Sequence, residues 1–160
     1  MNEDVLTQKK SLLIVFSYHH KNTEKIANVI AKVLEAEIKI PQQVNLEELQ
    51  EYSLIGFGSG IYSEKHHKTI LDLVDNLPQT TNKKAFIFST SAMIDNTTKH
   101  KTLRKKLGSK GYKIVDEFSC KGFNTNSFMK YFGGMNKGRP NEKDLKHAEE
   151  FALGLKQYCE

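Results

Sequence analysis

The stretch that decides the fold is LLIVFSYHHKNTEKIANVIAKVL, residues 12–34. It opens with the apolar run LLIVF, a pattern typical of a strand buried on both faces of a parallel sheet. It closes with apolar residues at the i, i+3, i+4, i+7, i+8 spacing of an amphipathic helix, namely Ile26, Val29, Ile30, Val33 and Leu34. The polar turn between them is longer than most strand-to-helix turns. Asn22 or Thr23 is the expected N-cap of the helix.

The rest of the chain repeats this alternation of strand and helix. Further strands are predicted at 37–40, 53–58, 84–90 and 112–120, with the first and last of these at sheet edges. Helical spacing covers 70–77, 103–107 and 145–155, and the last helix is entered through Pro140 and Asn141. The pattern predicts an α/β fold, a doubly wound five-stranded parallel sheet with helices on both faces.

Length and composition indicate one globular domain over residues 1–160, with a polar tail at 1–10. No apolar run approaches the ~20 residues of a membrane span, and the N-terminus lacks the apolar core of a signal peptide. The two cysteines, Cys120 and Cys159, form no metal or redox spacing. We therefore expect reduced thiols in the cytoplasm, with Cys120 as a buried packing residue.

The net charge of +5 does not by itself indicate nucleic-acid binding. The basic stretch KHKTLRKK, residues 99–106, has helical spacing through Leu103 and Leu107 and predicts a solvated helix face. No aromatic stacking motif accompanies the charge. The lysine surplus favours an acidic partner over nucleic acid.

Three polar loops should meet at one edge of the sheet, because ligands of open parallel sheets bind beyond the carboxyl ends of the strands. These loops are 17–23, 58–67 and 89–95. The first precedes a helix N-terminus, where free N–H groups and the helix dipole favour an anion. Ser17, Asn22 and Thr23 add neutral donors, and Lys21 adds a charge. Together the loops suit an aromatic ring that carries a phosphate.

These segments resemble the flavodoxins: FSYHHKNTEKIA (16–27), GSGIYSE (58–64), STSA (89–92) and GRPNEKDLKHAEEFA (138–152). The resemblance implies strand order 2-1-3-4-5 and FMN as cofactor, its phosphate in the first loop and its ring between the other two. The implied cofactor-binding residues are Ser17, Tyr18, His19, His20, Lys21, Asn22, Thr23, Ser59, Gly60, Ile61, Tyr62, Ser63, Ser89, Thr90, Ser91, Ala92 and Met93. Tyr18, His20 and Lys21 depart from the family's Ser-x-Thr-Gly-x-Thr loop, so backbone amides are the expected phosphate ligands.

Several residues have a second interpretation. GFGSG, residues 56–60, is not a dinucleotide fingerprint, and we interpret it as a turn that lets the backbone approach a ligand. Tyr62 or Ile61 could stack on the ring, or Tyr62 could cover its own loop. The pairs His19-His20 and His66-His67 lack supporting metal-ligand spacing, so we predict no metal site, and we expect these histidines to face the cofactor or solvent. The sequence predicts no catalytic residue.

The segment 121–140 is longer than an ordinary loop and rich in aromatic residues. Two interpretations stay open for it. One is a short helix over 127–132 that caps the sheet edge. The other is a lid or partner surface over the site.

The leading functional hypothesis is an FMN-binding electron carrier between redox partner proteins. An FMN-dependent NAD(P)H oxidoreductase acting on a quinone or nitro compound is the alternative, and a cofactor-less binding module is a second. Whether the protein is an enzyme thus stays open. Positive charge on Lys21, Lys65, His66, His67 and Lys68 would stabilise the anionic reduced flavin. We therefore expect a raised potential for the last electron and an acidic partner.

Overall fold

The computed structural model of the protein describes residues 10–17, 21–92, 97–122 and 138–159. In that part of the chain the strands are β1 (Lys10–Phe16), β2 (Glu37–Lys39), β3 (Tyr52–Tyr62), β4 (Lys65–His66), β5 (Lys83–Ser91) and β6 (Tyr112–Lys121). The α-helices are α1 (Asn22–Leu34), α2 (Lys68–Asp75), α3 (Lys101–Ser109) and α4 (Glu142–Leu155). Short 3₁₀ helices lie at Pro41–Gln43, Leu46–Glu51, Thr97–His100 and Lys156–Tyr158. None of the helices in the described ranges is long and apolar enough to cross a bilayer.

The main sheet has the order β2-β1-β3-β5-β6, and every pair along it is parallel. This confirms the predicted doubly wound sheet and its strand order. Residues 58–67 were predicted to be a loop, but most of them form a hairpin. Strand β3 continues to Tyr62, and the chain returns as β4, antiparallel to β3. Ser63 and Glu64 turn the chain with φ values of 51° and 71°, as a two-residue hairpin requires. We call residues 59–67 the β3–β4 hairpin.

Each face of the sheet carries its own apolar core. Helices α1 and α4 cover one face, where Ile26, Ile30 and Ala148 pack against Phe86 and Phe88. We call this the α1–α4 face. Helices α2 and α3 cover the opposite face, the α2–α3 face, with a core that includes Phe57, Ile70, Ile87, Leu103 and Leu107. The amphipathic helices thus bury the stripes that their sequence periodicity predicts.

The glycines of the GFGSG segment have a packing role. A Cβ on Gly56 would lie 2.2 Å from the Phe86 ring, and one on Gly58 would lie 2.2 Å from the Phe88 ring. Both glycines lie inside β3, opposite these phenylalanines on β5. The interpretation of this segment as a ligand-approaching turn was therefore wrong for Gly56 and Gly58, because the space of the missing side chains is filled by aromatic rings.

The predicted N-terminus of the last helix, α4, is confirmed, whereas the predicted N-cap of the first helix, α1, is not. Asn141 caps α4, its side chain accepting from the N–H of Asp144, whose carboxylate accepts in return from the N–H of Asn141. The predicted caps of α1 were wrong. Lys21 is the N-cap residue of α1, in the left-handed conformation with φ 52°. The proposed helix over 127–132 lies outside the described residues.

Candidate functional site

The carboxyl ends of three neighbouring strands lie side by side. Phe16 on β1 is in register with Ser59 on β3, and Ser59 is in register with Ser89 on β5. One residue further along, Gly60 is beside Thr90, and Thr90 is beside Cys120 on β6. The loops that follow these strands therefore begin at one edge, as expected for a binding site in an open parallel sheet.

The start of α1 forms one side of this edge. Among the described residues, the N-cap residue Lys21 makes no capping hydrogen bond through its side chain. The positive end of the α1 dipole lies at this residue. The hydroxyl of Ser17 accepts a hydrogen bond from the N–H of Glu24 at 3.2 Å. Ser17 thereby takes over one helix N–H that a conventional cap would have served.

The end of β5 is tied directly to α1. The hydroxyls of Thr23 and Thr90 are both buried and share a hydrogen bond of 2.9 Å. Beside them, a Cβ on Gly122 would lie 2.7 Å from Nδ2 of Asn22, so a larger residue there would displace the Asn22 side chain. The N–H of Gly122 also donates to the carbonyl of Ser91 at 3.0 Å. These contacts join the start of α1 to the ends of β5 and β6.

The β3–β4 hairpin forms the other side. The buried hydroxyl of Ser59 donates to the carbonyl of Gly60 at 2.7 Å and accepts from the N–H of His67 at 2.9 Å. The His67 ring stacks on Phe16 at 4.1 Å and meets the edge of Tyr62 at 5.0 Å. The Tyr62 ring therefore covers part of its own hairpin, which is one of the two roles that the sequence left open for it.

A buried polar network lies behind the hairpin, on the α2–α3 face. His100, at 0% exposure, bonds Ser89 Oγ through Nε2 at 2.6 Å and Glu117 Oε1 through Nδ1 at 2.8 Å. Arg104 donates to both oxygens of Glu117, at 2.6 and 2.7 Å. We call Ser89, His100, Arg104 and Glu117 the His100 network.

The protonation of Glu117 sets the direction of the hydrogen bonds in this network. Burial alone would raise the pKa of Glu117, but the hydrogen bonds from His100 and Arg104 outweigh it and lower that pKa to about 2. An ionised carboxylate only accepts, so Nδ1 of His100 carries the proton that faces Glu117. On its other side, Nε2 of His100 shares the 2.6 Å hydrogen bond with the Ser89 hydroxyl.

His66 packs against this network. It is 1% exposed, its Nε2 lies 3.0 Å from the Phe88 carbonyl, and its ring centroid is 4.9 Å from that of His100. Because a carbonyl only accepts, Nε2 carries the proton, and Nδ1 has no hydrogen-bond partner among the described residues. Burial, reinforced by His100, lowers the pKa of His66 to about 3. His66 is therefore neutral at pH 7.

The order Ser89–His100–Glu117 has the connectivity of a catalytic triad. A nucleophile must reach a substrate, however, and Ser89 is only 1% exposed at the end of a central strand. The geometry thus supports a structural network in the described part of the protein. In the same part of the chain, no three His, Cys, Asp or Glu side chains are placed to hold a metal ion.

The structure brings together most of the predicted site residues that it describes. Thr23 meets Thr90, and Ser59, Gly60, Ser89 and Ser91 lie at the shared edge. Several hydroxyls expected to face a ligand bond within the protein, namely those of Thr23, Ser59 and Thr90. Ile61 and Tyr62 belong to the hairpin, and Ser63 is exposed at its tip. Tyr18, His19, His20 and Met93 lie outside the described residues.

The sequence reasoning missed the His100 network. His100 was included in a solvated basic face, yet the spacing His100, Leu103, Leu107 already places it on the buried stripe of α3. The expectation that His66 faces the cofactor or solvent was also wrong. In the hairpin, Lys65 and His66 point to opposite sides, and His66 takes the buried one. Cys120 is buried as predicted, and neither Cys120 nor Cys159 forms a disulfide bond in the described part of the chain.

Comparison with known proteins agrees with this architecture. A family model described as a flavodoxin domain matches residues 13–131, more than half of the chain. The chain belongs to the flavodoxin family. An uncharacterized protein of Methanocaldococcus jannaschii is 52% identical over 147 residues, which cover 91% of this chain and 97% of that protein.

Solved structures share the fold at low identity. Oxidised Flavodoxin 2 from Bacillus cereus has a TM-score of 0.68 at 18% identity, over 92% of this chain and 98% of that one. A flavodoxin from the domain Archaea has a TM-score of 0.61 at 18% identity, over 92% and 96% of the two chains. Rubredoxin oxygen:oxidoreductase from Desulfovibrio gigas has a TM-score of 0.67 at 15% identity, over 96% of this chain and 37% of that one. The resemblance and the fold that the sequence predicted are confirmed.

Proposed function

We propose that this flavodoxin-family protein binds FMN and carries electrons between redox partner proteins. The observation that carries the proposal is the meeting of the α1 N-terminus, the β3–β4 hairpin and the end of β5 at one edge of the sheet. Membership of the flavodoxin family supports FMN as the ligand. When bound, FMN supplies the one- and two-electron redox chemistry, and the protein supplies binding and electrostatics.

The residues present fit a phosphate at the first loop. The helix dipole of α1 attracts an anion, and the exposed Lys21 at its N-cap adds a positive charge. The backbone amides at the start of α1 would hold the phosphate. The ring would lie between the β3–β4 hairpin and the residues that follow Ser89. The glycine at 122, whose Cβ would collide with Asn22, leaves room for that side chain beside the loop.

The charge around the site is smaller than the sequence suggested. His66 is neutral, burial lowers the pKa of His67, and Lys68 is paired with Asp72 at 2.6 Å. The positive potential that would favour the reduced flavin anion and raise its potential therefore comes mainly from Lys21 and Lys65.

We further propose that the partner presents carboxylates to this positive edge. Lys65 lies on the wall of a groove of about 430 Å³ between the hairpin and helices α2 and α3. Among the described residues it forms no ion pair, unlike Lys68 and Lys106 in the same groove. A reducing cytoplasm is the compartment proposed for the protein, since neither of its cysteines forms a disulfide bond among the described residues.

A titration with FMN tests the proposed cofactor. The purified protein, freed of any flavin, should bind one FMN, seen as quenched flavin fluorescence and identified after acid release. Lys21→Glu should weaken binding roughly tenfold or more, because a carboxylate then faces the phosphate at the helix start. Lys32→Glu, at the other end of α1, changes the charge equally and should leave binding unchanged.

Two results would contradict the proposal. Failure of the unaltered protein to bind FMN would favour the cofactor-less binding module. Rapid NADH or NADPH oxidation by the FMN-loaded protein, with a quinone as acceptor, would favour the oxidoreductase over the carrier.

A further inference from the structure

The His100 network joins the end of β5 to the start of α3. Ser89, near the end of β5, bonds His100, which directly precedes α3. Arg104 also donates to the carbonyl of Thr97 at 3.2 Å. On the side of the β3–β4 hairpin, His66 bonds the Phe88 carbonyl at 3.0 Å. One connected set of side chains thus joins the hairpin, the end of β5 and the start of α3.

The network anchors these parts to the rigid edge of the sheet. Glu117 lies on β6, in register with Ile87 of β5, and Arg104 lies on α3. The two bonds from Arg104 to Glu117 form a bidentate, charge-assisted pair with strong preference for one geometry. His100 is therefore held at Nδ1 by a fixed partner, and its Nε2 in turn fixes the Ser89 hydroxyl.

Stability alone does not account for this arrangement. Buried ionic groups are costly to desolvate, and apolar residues of similar volume often stabilise a fold equally well or better. The neighbouring core of the α2–α3 face includes a large apolar cluster, with Leu12, Ile87 and Leu107 among its members. The polar network occurs at the carboxyl edge, where the loops of the candidate site begin. Its value is the single geometry that it imposes on those loops.

We propose that His100 and Glu117 are positioning residues for the flavin site, which hold the β3–β4 hairpin, the end of β5 and the 3₁₀ helix Thr97–His100 in their ligand-binding arrangement. This inference rests on the proposed function for the identity of the ligand. Neither residue contacts FMN in this account. Pre-organised loops lose less conformational freedom on binding, so an intact network increases the affinity for FMN.

The test uses three variants that break the network at known atoms. Ser89→Ala removes the hydroxyl. His100→Asn places an amide near the position of Nδ1, so it keeps a donor for Glu117 and loses the hydrogen bond to Ser89. His100→Gln has a longer side chain, and its amide can reach the Ser89 hydroxyl. Leu107→Ala is the control, because it creates a cavity in the same core at the opposite end of α3. Each full-length variant is measured at a temperature at which its apoprotein is folded.

Two readouts are compared. One is the Kd for FMN from fluorescence quenching, and the other is amide hydrogen exchange of Ala92 and Thr97 in the apoprotein. Ser89→Ala and His100→Asn should weaken FMN binding roughly tenfold, the equivalent of one lost buried hydrogen bond, and should speed exchange at both amides. His100→Gln should recover part of both losses. Leu107→Ala should lower stability and leave both readouts near wild type.

The opposite results overturn the proposal. If Ser89→Ala and His100→Asn lower stability but keep Kd within twofold and leave exchange at Ala92 and Thr97 unchanged, the network only stabilises the fold. If the unaltered protein does not bind FMN, the proposed function fails, and the exchange rates of the apoprotein still decide whether the network orders the two loops.

Discussion

The two faces of the sheet are built differently at the same carboxyl edge. On the α1–α4 face, Phe86 and Phe88 fill the space over two glycines, and the polar contact near the site is the neutral Thr23–Thr90 pair. On the α2–α3 face, the edge carries His66 and the ionised pair of Arg104 with Glu117. The glycine–phenylalanine packing and the threonine pair contain no group that titrates, so their own contribution to stability should not respond to pH. Elsewhere on this face, the buried Asp144 forms an ion pair with Arg139, which lowers its pKa. The polar groups at the edge of the α2–α3 face depend on protonation, so acid should weaken their contacts.

The largest expected effect is Gly58→Ala on the α1–α4 face. The new Cβ would lie 2.2 Å from the Phe88 ring, which is enclosed in the core. Relieving this clash should cost roughly 2–3 kcal/mol of unfolding free energy. Urea unfolding at pH 5 and pH 8 should show the same loss at both values. A loss that differs between them would break the comparison.

Gly154→Ala is the control for that variant. Gly154 lies in α4, and its missing Cβ would meet no atom of the described residues within 4 Å beyond its chain neighbours and its own helix backbone. Alanine there should raise stability by about 0.5–1 kcal/mol, because it has the higher helix propensity.

The second effect, on the α2–α3 face, is a loss of stability in acid caused by His66. Its pKa is about 3 in the folded protein against an ordinary value of 6.5, so the unfolded chain binds the proton first. The stabilisation is therefore complete above pH 6.5 and is lost as the pH falls toward 3. The slope approaches about 1.4 kcal/mol per pH unit, or about 2 kcal/mol at pH 5.

His66→Gln should remove this slope while keeping a donor for the Phe88 carbonyl. Unfolding free energies between pH 7.5 and pH 5 measure it. His147→Gln, an exposed change on α4, should keep the wild-type slope. Equal slopes in the wild type and His66→Gln would mean that His66 is not buried as a neutral ring.

A smaller effect is expected from Thr23→Val on the α1–α4 face. Valine keeps the volume and leaves the buried hydroxyl of Thr90 without its partner, at a cost of about 1 kcal/mol. The double variant Thr23→Val/Thr90→Val should recover part of the loss, because neither buried group then lacks a partner. Chemical denaturation at pH 7 measures both, and additive losses would contradict the pairing.

The smallest effect is expected from Lys68→Ala at the solvent surface of α2. Its pair with Asp72 is an exposed i, i+4 ion pair, which water and salt screen. The Tm should not differ measurably from wild type at 0.5 M salt. A clear decrease at that salt would show that surface charge matters more here than the two cores imply.

Much of the fold followed from local patterns. The apolar run at residues 12–16 and the helical spacing of residues 26–34 predicted β1 and α1, and the same reasoning located the other main strands and helices. The candidate loops were also predictable, since parallel strands bring their carboxyl ends to one edge. The family resemblance that those loops carried was confirmed by the flavodoxin-domain match.

The errors concern residues whose environment comes from a distant part of the chain. The local sequence around Gly56 and Gly58 predicted a turn, but the register of β3 with β5 places two phenylalanine rings over these glycines. His66 and His100 read as surface residues, yet the hairpin and α3 turn both of them inward to meet Phe88 and Glu117.

Periodicity reports which face of each element is buried, so the sequence was enough to predict the order of the elements, the parallel sheet and the edge at which we propose that FMN binds. Only the tertiary structure decided which side chains meet behind that edge. Those contacts depend on strand register and helix docking between segments far apart in the chain, and no local pattern encodes the partner.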